Sequence, residues 1–185
     1  MNLPNSLTIA RMVLVPLLVV VLLTEFEGSR IAGVPKEFVA AAIFGIASLT
    51  DWLDGYLARR RRQVTWLGQI LDPIADKLLT TAAFVSLVQL DMVPAWIVAV
   101  IIGREFAVTW LRSEALGRGI VMSASGAGKA KTVSQIVAIY VMLLALRVPA
   151  FEILRPPALF VALGLTLYSG FDYFRRFSKG ATPRP

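Results

Sequence analysis

Long apolar blocks, each near the length of a membrane-crossing helix and separated by short polar stretches, constrain this sequence more than any other feature. A helix that crosses the hydrocarbon layer needs about 20 largely apolar residues at about 1.5 Å of rise each. Six segments meet that requirement: residues 7–24, 38–58, 67–90, 93–116, 133–146 (begun earlier, near Lys129) and 157–174. No polar stretch is large enough to form a separate soluble domain. Residues 1–185 therefore read as a single all-α, polytopic membrane domain with six transmembrane helices. Residues 1–6, with Pro4, read as a short N-terminal interfacial segment. Pro94 and Pro157 fall near helix starts, where a missing N–H costs little. Arg11 followed by the apolar run 12–23 has the look of a signal peptide. However, Thr24-Glu25-Phe26-Glu27 offers no small-x-small cleavage site, so this helix is expected to be retained.

Orientation follows from the distribution of Lys and Arg. Six spans put both termini on one side, with the loops after the second and fourth helices. That side receives Arg11, the arginine run at 59–62, Arg118, Lys129, Lys131, Arg175, Arg176, Lys179 and Arg184. The other side receives Arg30, Lys36, Arg147 and Arg155. The positive-inside rule then makes both termini cytoplasmic. The formal net charge of +7 reads, in a chain that is 57% hydrophobic, as basic loops against an anionic leaflet and not as a nucleic-acid surface.

The chain has no cysteine and no histidine. Disulfides, thiolate or imidazole zinc sites, and Ser-His or Cys-His nucleophiles are excluded. Acid–base or metal chemistry has to come from carboxylates, with Lys, Arg and Tyr as the remaining candidates.

The carboxylates are not scattered. Asp51 and Asp54 stand i,i+3 near the cytoplasmic end of the second helix, and Asp72 and Asp76 stand i,i+4 near the start of the third. Each pair shares one helix face. A short loop makes the two helices antiparallel neighbours, so all four acids converge. Ionised carboxylates at membrane depth are costly unless neutralised. Two divalent cations, Mg²⁺ or Mn²⁺, suit such an oxygen-only set and could bridge a pyrophosphate. Gly55 and Gly68 lack a β-carbon and would admit a ligand closely. Arg59 is placed to meet a phosphate, and Thr65 adds a hydroxyl at the same mouth. Arg60, Arg61 and Arg62 read as a topology anchor. Pro73 is compatible with either the first turns of a helix or a kink farther in. Lys77 and Asp172 read as structural or interfacial.

The pattern D-x2-D-G-x2-A-R-x8-G-x3-D-x3-D, complete between Asp51 and Asp76, resembles the signature of the CDP-alcohol phosphatidyltransferase family. The resemblance implies a metal-dependent transferase of phospholipid biosynthesis. Asp51, Asp54, Asp72 and Asp76 would bind the two ions, and Asp76 would also deprotonate the incoming alcohol. Asn5, Gly55, Ala58, Arg59, Thr65 and Gly68 would surround the CDP-lipid. It further implies a six-helix homodimer in the bilayer, with the active site open to the cytoplasm.

Other segments bear on the acceptor. Asn2-x-Pro4-Asn5-x-Leu7-Thr8-x-x-Arg11, Gly103-Arg104-Glu105, Arg112 and Ser125-x-x-Gly128-Lys129-x-Lys131-Thr132-x-x-Gln135 are similar to a bacterial branch of that family. That branch resides in the inner membrane and joins CDP-diacylglycerol to sn-glycerol 3-phosphate, releasing CMP. A phosphate dianion needs cations beyond the metals, and Arg104, Arg112, Lys129 and Lys131 are the candidates. Arg104 is the sharpest, because it lies well inside a span. The adjacent Glu105 is not expected as its partner, since consecutive helix positions do not face each other. Sister enzymes using inositol phosphate, serine or phosphatidylglycerol are the alternatives within the family. A divalent-cation or proton-coupled transporter is the alternative from another class. A transporter would be expected to place its acids near the midplane, often between internal repeats. Gly126-Ala127-Gly128-Lys129 is not a phosphate-binding P-loop: position 123 is Ser, Ala130 follows the lysine, and no strand precedes it.

Overall fold

The computed structural model describes residues 3–25, 30–61, 66–119 and 125–180, with side chains for 10–25, 30–50, 77–119 and 125–178. The chain is helical almost throughout. Its helices are α1 (Leu3–Leu23), α2 (Lys36–Arg61), α3 (Trp66–Gln89), α4 (Ala95–Gly117), α5 (Gly126–Ala145) and α6 (Arg155–Gly180). Every apolar block anticipated from the sequence is one of these helices. Leu3 to Ser6 are continuous with the first apolar block. They are the first turn of α1, where Pro4 lacks only an N–H that would have no intrahelical acceptor. Pro73 lies inside α3, whose helix continues to Gln89.

Two short elements join the helices. Strands β1 (Arg30–Ile31) and β2 (Val34–Pro35) pair antiparallel, with Ile31 opposite Val34. The two residues between them, Ala32 at φ 50° and Gly33 at φ 82°, take the doubly left-handed conformation of a tight hairpin turn. A 3₁₀ turn, Pro149–Leu154, leads into α6. At the end of α1, the Lys36 ammonium donates to the carbonyls of Leu22 (3.1 Å) and Thr24 (3.0 Å). These groups would otherwise lack partners at a helix C-terminus.

The helices form two sets of three. In the first, α1 packs against both α2 and α3; in the second, α6 packs against both α4 and α5. Contacts of α5 with α2 and α3, and of α3 with α4, join the sets around a shared apolar core. Leu18 and Leu22 of α1, Phe44 of α2, Phe84 of α3, Ile97 of α4, and Ile139 and Met142 of α5 are all fully buried there. Where α2 crosses α5, Gly45 lies under the Tyr140 ring, which meets Phe44 edge-on at 5.4 Å between centroids. A Cβ at position 45 would collide with the Tyr140 hydroxyl, so any other residue there would force the end of that ring to move. Inside the second set, Gln135 Nε2 donates to Thr166 Oγ1 at 3.0 Å, both residues being buried.

Outward faces are strongly apolar. Val13, Ile46, Leu49, Phe106, Trp110, Phe160, Phe171 and Phe174 are all exposed. Among the described residues, α5 and the helical stretch from Pro149 to Ser178 are long and apolar enough to cross a bilayer. Exposed apolar surface of this extent is unusual for a soluble monomer.

Candidate active site

The first half of the site lies on α2 and α3. Asp51, Asp54, Gly55, Ala58 and Arg59 occupy the last three turns of α2, while Gly68, Asp72 and Asp76 occupy the first three of α3. Asp51 stands ten residues before α2 ends and Asp76 ten residues after α3 begins, so they lie at matching depths on touching helices. Asp54 and Asp72 match in the same way, seven residues from one end and six from the other. The i,i+3 and i,i+4 spacings fall within unbroken helix, so each pair keeps a common face. The connection between the helices is four residues, 62–65, and Thr65 and Arg62 lie in it, outside the described residues. Asn5 is in the first turn of α1, the helix packed on both α2 and α3.

This arrangement fits a pair of divalent cations. Carboxylate oxygens are the ligands that Mg²⁺ and Mn²⁺ prefer, and two helices at matching depth supply two acids each. Among the residues whose side chains are described, no three acidic groups gather to hold an ion. Glu105, Glu114, Glu152 and Asp172 are each already paired with Arg or Lys.

The second half of the site lies on α4, α5 and α6, and here the structure separates the four basic candidates. Arg112 and Lys129 are exposed. Lys131 is buried and Arg104 largely so, with side chains 8% and 10% accessible, and they meet at one carboxylate. Arg104 Nη1 donates to Glu105 Oε1 at 3.0 Å, and Lys131 Nζ donates to the same oxygen at 2.6 Å. The expectation that Glu105 would not reach Arg104 does not hold. Neighbouring Cβ atoms diverge, but both side chains are long enough for their tips to converge.

Helix α6 holds the other side of Arg104. Its Nη2 donates to Ser169 Oγ at 2.6 Å, and its guanidinium carbon lies 5.9 Å from the Tyr173 ring centroid, within cation–π range. Gly170 leaves room for the stem, since a Cβ there would stand 3.1 Å from Arg104 Cγ. The Tyr173 hydroxyl accepts from the Ser125 N–H at 3.3 Å, and Ser125 Oγ accepts from the Gly128 N–H at 3.0 Å as the N-cap of α5. The segment around Ser125, Gly128 and Lys131 is therefore the device that starts α5 against α6 and delivers Lys131 to Glu105. Glu105 as a bridge, and Ser169, Gly170 and Tyr173 as supports, were not among the residues expected from the sequence. Glu105 was signalled by adjacency, while the α6 residues had no local signal.

The two halves adjoin. Lys77, the residue after Asp76, donates to Thr109 Oγ1 on α4, and Thr109 in turn donates to the Glu105 carbonyl at 2.7 Å. This contact places the end of the aspartate motif one helical turn from the Arg104–Glu105–Lys131 group. Lys77 thus links α3 to α4. Asp172 likewise pairs with Arg176 at 3.1 Å.

Known proteins are similar to this chain along most of its length. The sequence model of the CDP-alcohol phosphatidyltransferase family matches residues 1–168. A Bacillus subtilis protein named CDP-diacylglycerol–glycerol-3-phosphate 3-phosphatidyltransferase is 47% identical over 184 residues, covering 95% of this chain and 94% of its own. A Pseudomonas fluorescens protein of the same name is 38% identical, covering 95% and 89%. A Mycobacterium tuberculosis protein named probable phosphatidylglycerophosphate synthase is 40% identical over 175 residues, covering 95% and 81%. With the full signature carried on two adjoining helices, and with similarity along nearly its whole length, this chain belongs to the CDP-alcohol phosphatidyltransferase family.

Proposed function

We propose that this protein transfers the phosphatidyl group of CDP-diacylglycerol to sn-glycerol 3-phosphate, yielding phosphatidylglycerophosphate and CMP. The observation that carries the acceptor assignment is the near full-length similarity to relatives named for that reaction, at 47% identity in the first of them. The largely buried Arg104 and Lys131 support it as well, because two cations inside an apolar bundle suit a phosphorylated acceptor better than an uncharged alcohol.

The proposed chemistry is direct displacement. The 1-hydroxyl of glycerol 3-phosphate attacks the β-phosphorus of CDP-diacylglycerol and yields its proton to the Asp76 carboxylate. The new P–O bond forms as the bond to the bridging oxygen breaks, and CMP leaves with that oxygen. Asp51, Asp54, Asp72 and Asp76 would hold two divalent cations, Mg²⁺ or Mn²⁺, which would offset the charge of the pyrophosphate and of the leaving group. Asn5, Gly55, Ala58, Arg59, Thr65 and Gly68 line the CDP-lipid. Arg104 and Lys131 orient the acceptor by its phosphate, with Arg112 and Lys129 at the exposed approach to it.

In this reading residues 1–185 form one membrane domain, all six helices cross the bacterial inner membrane, both termini are cytoplasmic, and the protein works as a homodimer. The apolar outward faces and the cytoplasmic excess of Lys and Arg support that topology. Purified protein in detergent, given CDP-diacylglycerol and Mg²⁺, should release CMP with glycerol 3-phosphate. It should release little with inositol phosphate, serine or phosphatidylglycerol, and none when the metal is chelated. A stronger response to any other acceptor overturns the assignment.

A further inference from the structure

The acceptor-side cations are already engaged. Both tips of the Arg104 fork are occupied, Nη1 by Glu105 Oε1 and Nη2 by Ser169 Oγ. Lys131 reaches the same Glu105 oxygen from a different helix. One carboxylate oxygen thus occupies the point where donors from α4 and α5 converge, the position a phosphate oxygen takes between an arginine and a lysine. Arg104 Nε, buried at the same place, has no acceptor among the described residues. A carboxylate bound through one oxygen leaves that third donor unanswered; a phosphate has oxygens enough for all three. Glu105 is also the more accessible member of the group, its side chain 18% exposed against 10% and 8% for the cations.

The geometry points to Glu105 as an exchangeable stand-in for the acceptor's phosphate. Without acceptor, its carboxylate is a counter-charge that Arg104 and Lys131 share, and a buried charge that loses its partner is destabilised. When the acceptor arrives, its phosphate displaces the carboxylate from Arg104 and Lys131. The consequence is selection by charge: an alcohol lacking a phosphate has nothing to exchange and leaves the cations closed on Glu105. The inference rests on the reading of Arg104 and Lys131 as acceptor-phosphate residues and assigns Glu105 a role within that site.

Glu105→Gln keeps the shape and removes the charge, so the stand-in holds the cations by neutral instead of charge-assisted hydrogen bonds. The difference between those two classes sets the expected effect at about fivefold in favour of phosphate. The deciding measurement is thermal stabilisation of the detergent-solubilised protein by inorganic phosphate and by glycerol 3-phosphate, without CDP-lipid. The variant should melt lower than wild type alone, yet gain more from either ligand. Its KM for glycerol 3-phosphate should fall by about the same factor. Ligand-induced stabilisation equal to or smaller than that of wild type overturns the stand-in, whatever the melting temperature does, because a purely structural ion pair would lower stability without improving anion binding. Glu105→Asp, one methylene too short to hold both cations, tests the same direction should the glutamine variant fail to fold. Failure of wild type to release CMP with glycerol 3-phosphate would instead overturn the acceptor assignment, since the phosphate measurement needs no turnover.

Discussion

Ser169→Ala removes one atom from the support of Arg104. The serine is fully buried, and its hydroxyl accepts the 2.6 Å bond from Nη2. Little packing is lost with a single oxygen, so the change reports mainly on the hydrogen bond. Bonds to charged groups contribute about 1.5–3 kcal/mol in soluble proteins, whereas side-chain bonds between membrane helices average about 0.6 and reach about 1.7 kcal/mol. Arg104 is poorly placed to compensate, because Nε already lacks an acceptor among the described residues. We therefore expect a cost of about 1–1.5 kcal/mol, which at about 1.36 kcal/mol per tenfold corresponds to a rise in KM for glycerol 3-phosphate of roughly five- to tenfold. The assay is CMP release at saturating CDP-diacylglycerol with the acceptor varied, alongside a thermal melt of the same preparation. A guanidinium that has lost its aim weakens acceptor binding more than it slows the bound complex, so KM should move more than kcat. An unchanged KM together with a lowered melting temperature would refute this reasoning and leave the Ser169 contact a purely structural one.

Other perturbations separate the remaining parts of the site. Asp76→Asn should abolish turnover while CDP-diacylglycerol binding, followed by equilibrium dialysis of labelled lipid in detergent, stays largely intact; near-normal turnover rules out Asp76 as the base. Alanine at Arg112 or Lys129, both exposed, should raise the acceptor KM less than alanine at Arg104 or Lys131, and the reverse order would contradict the burial-based ranking. Gly45→Ala forces a methyl into the Tyr140 hydroxyl, with Tyr140 Cζ only 3.2 Å away, and should cost about 1–3 kcal/mol in a thermal or denaturant melt. Gly45→Ala combined with Tyr140→Phe should recover part of that loss.

Features carried by local spacing are legible in the sequence itself. The positions of the helices follow from blocks of apolar residues, and the alignment of the aspartates follows from helical spacing on either side of a four-residue connection. Features set by polar contacts are not. α5 starts at Gly126, one turn before the start expected near Lys129, because Ser125 capping the Gly128 N–H starts it rather than hydrophobicity. The extension of α6 to Gly180 passes through Arg175 and Arg176, where the Asp172–Arg176 pair one turn apart continues the helix beyond the apolar block. Arg104 stands out as a charge inside an apolar segment, but Ser169, which holds it, is 65 residues away in the chain. The short strand pair, two residues to a strand, is too brief for any alternation to register.

The division into two sets of three helices bears on how such a scaffold changes its substrate. Asn5 and the residues assigned to the CDP-lipid and the aspartate cluster lie on α1 to α3 or in their connection, while the residues assigned to the acceptor lie on α4 and α5 and are supported from α6. Under the proposed assignment, donor handling and acceptor choice occupy separate stretches of chain, split near Leu90. Substitutions after that point can remodel the acceptor pocket without displacing the backbone that carries the four aspartates. A graft of α4–α6 from a sister enzyme would need to preserve the apolar faces toward α2 and α3 and the Thr109 hydroxyl that meets Lys77. Changing the alcohol is in this sense a three-helix problem.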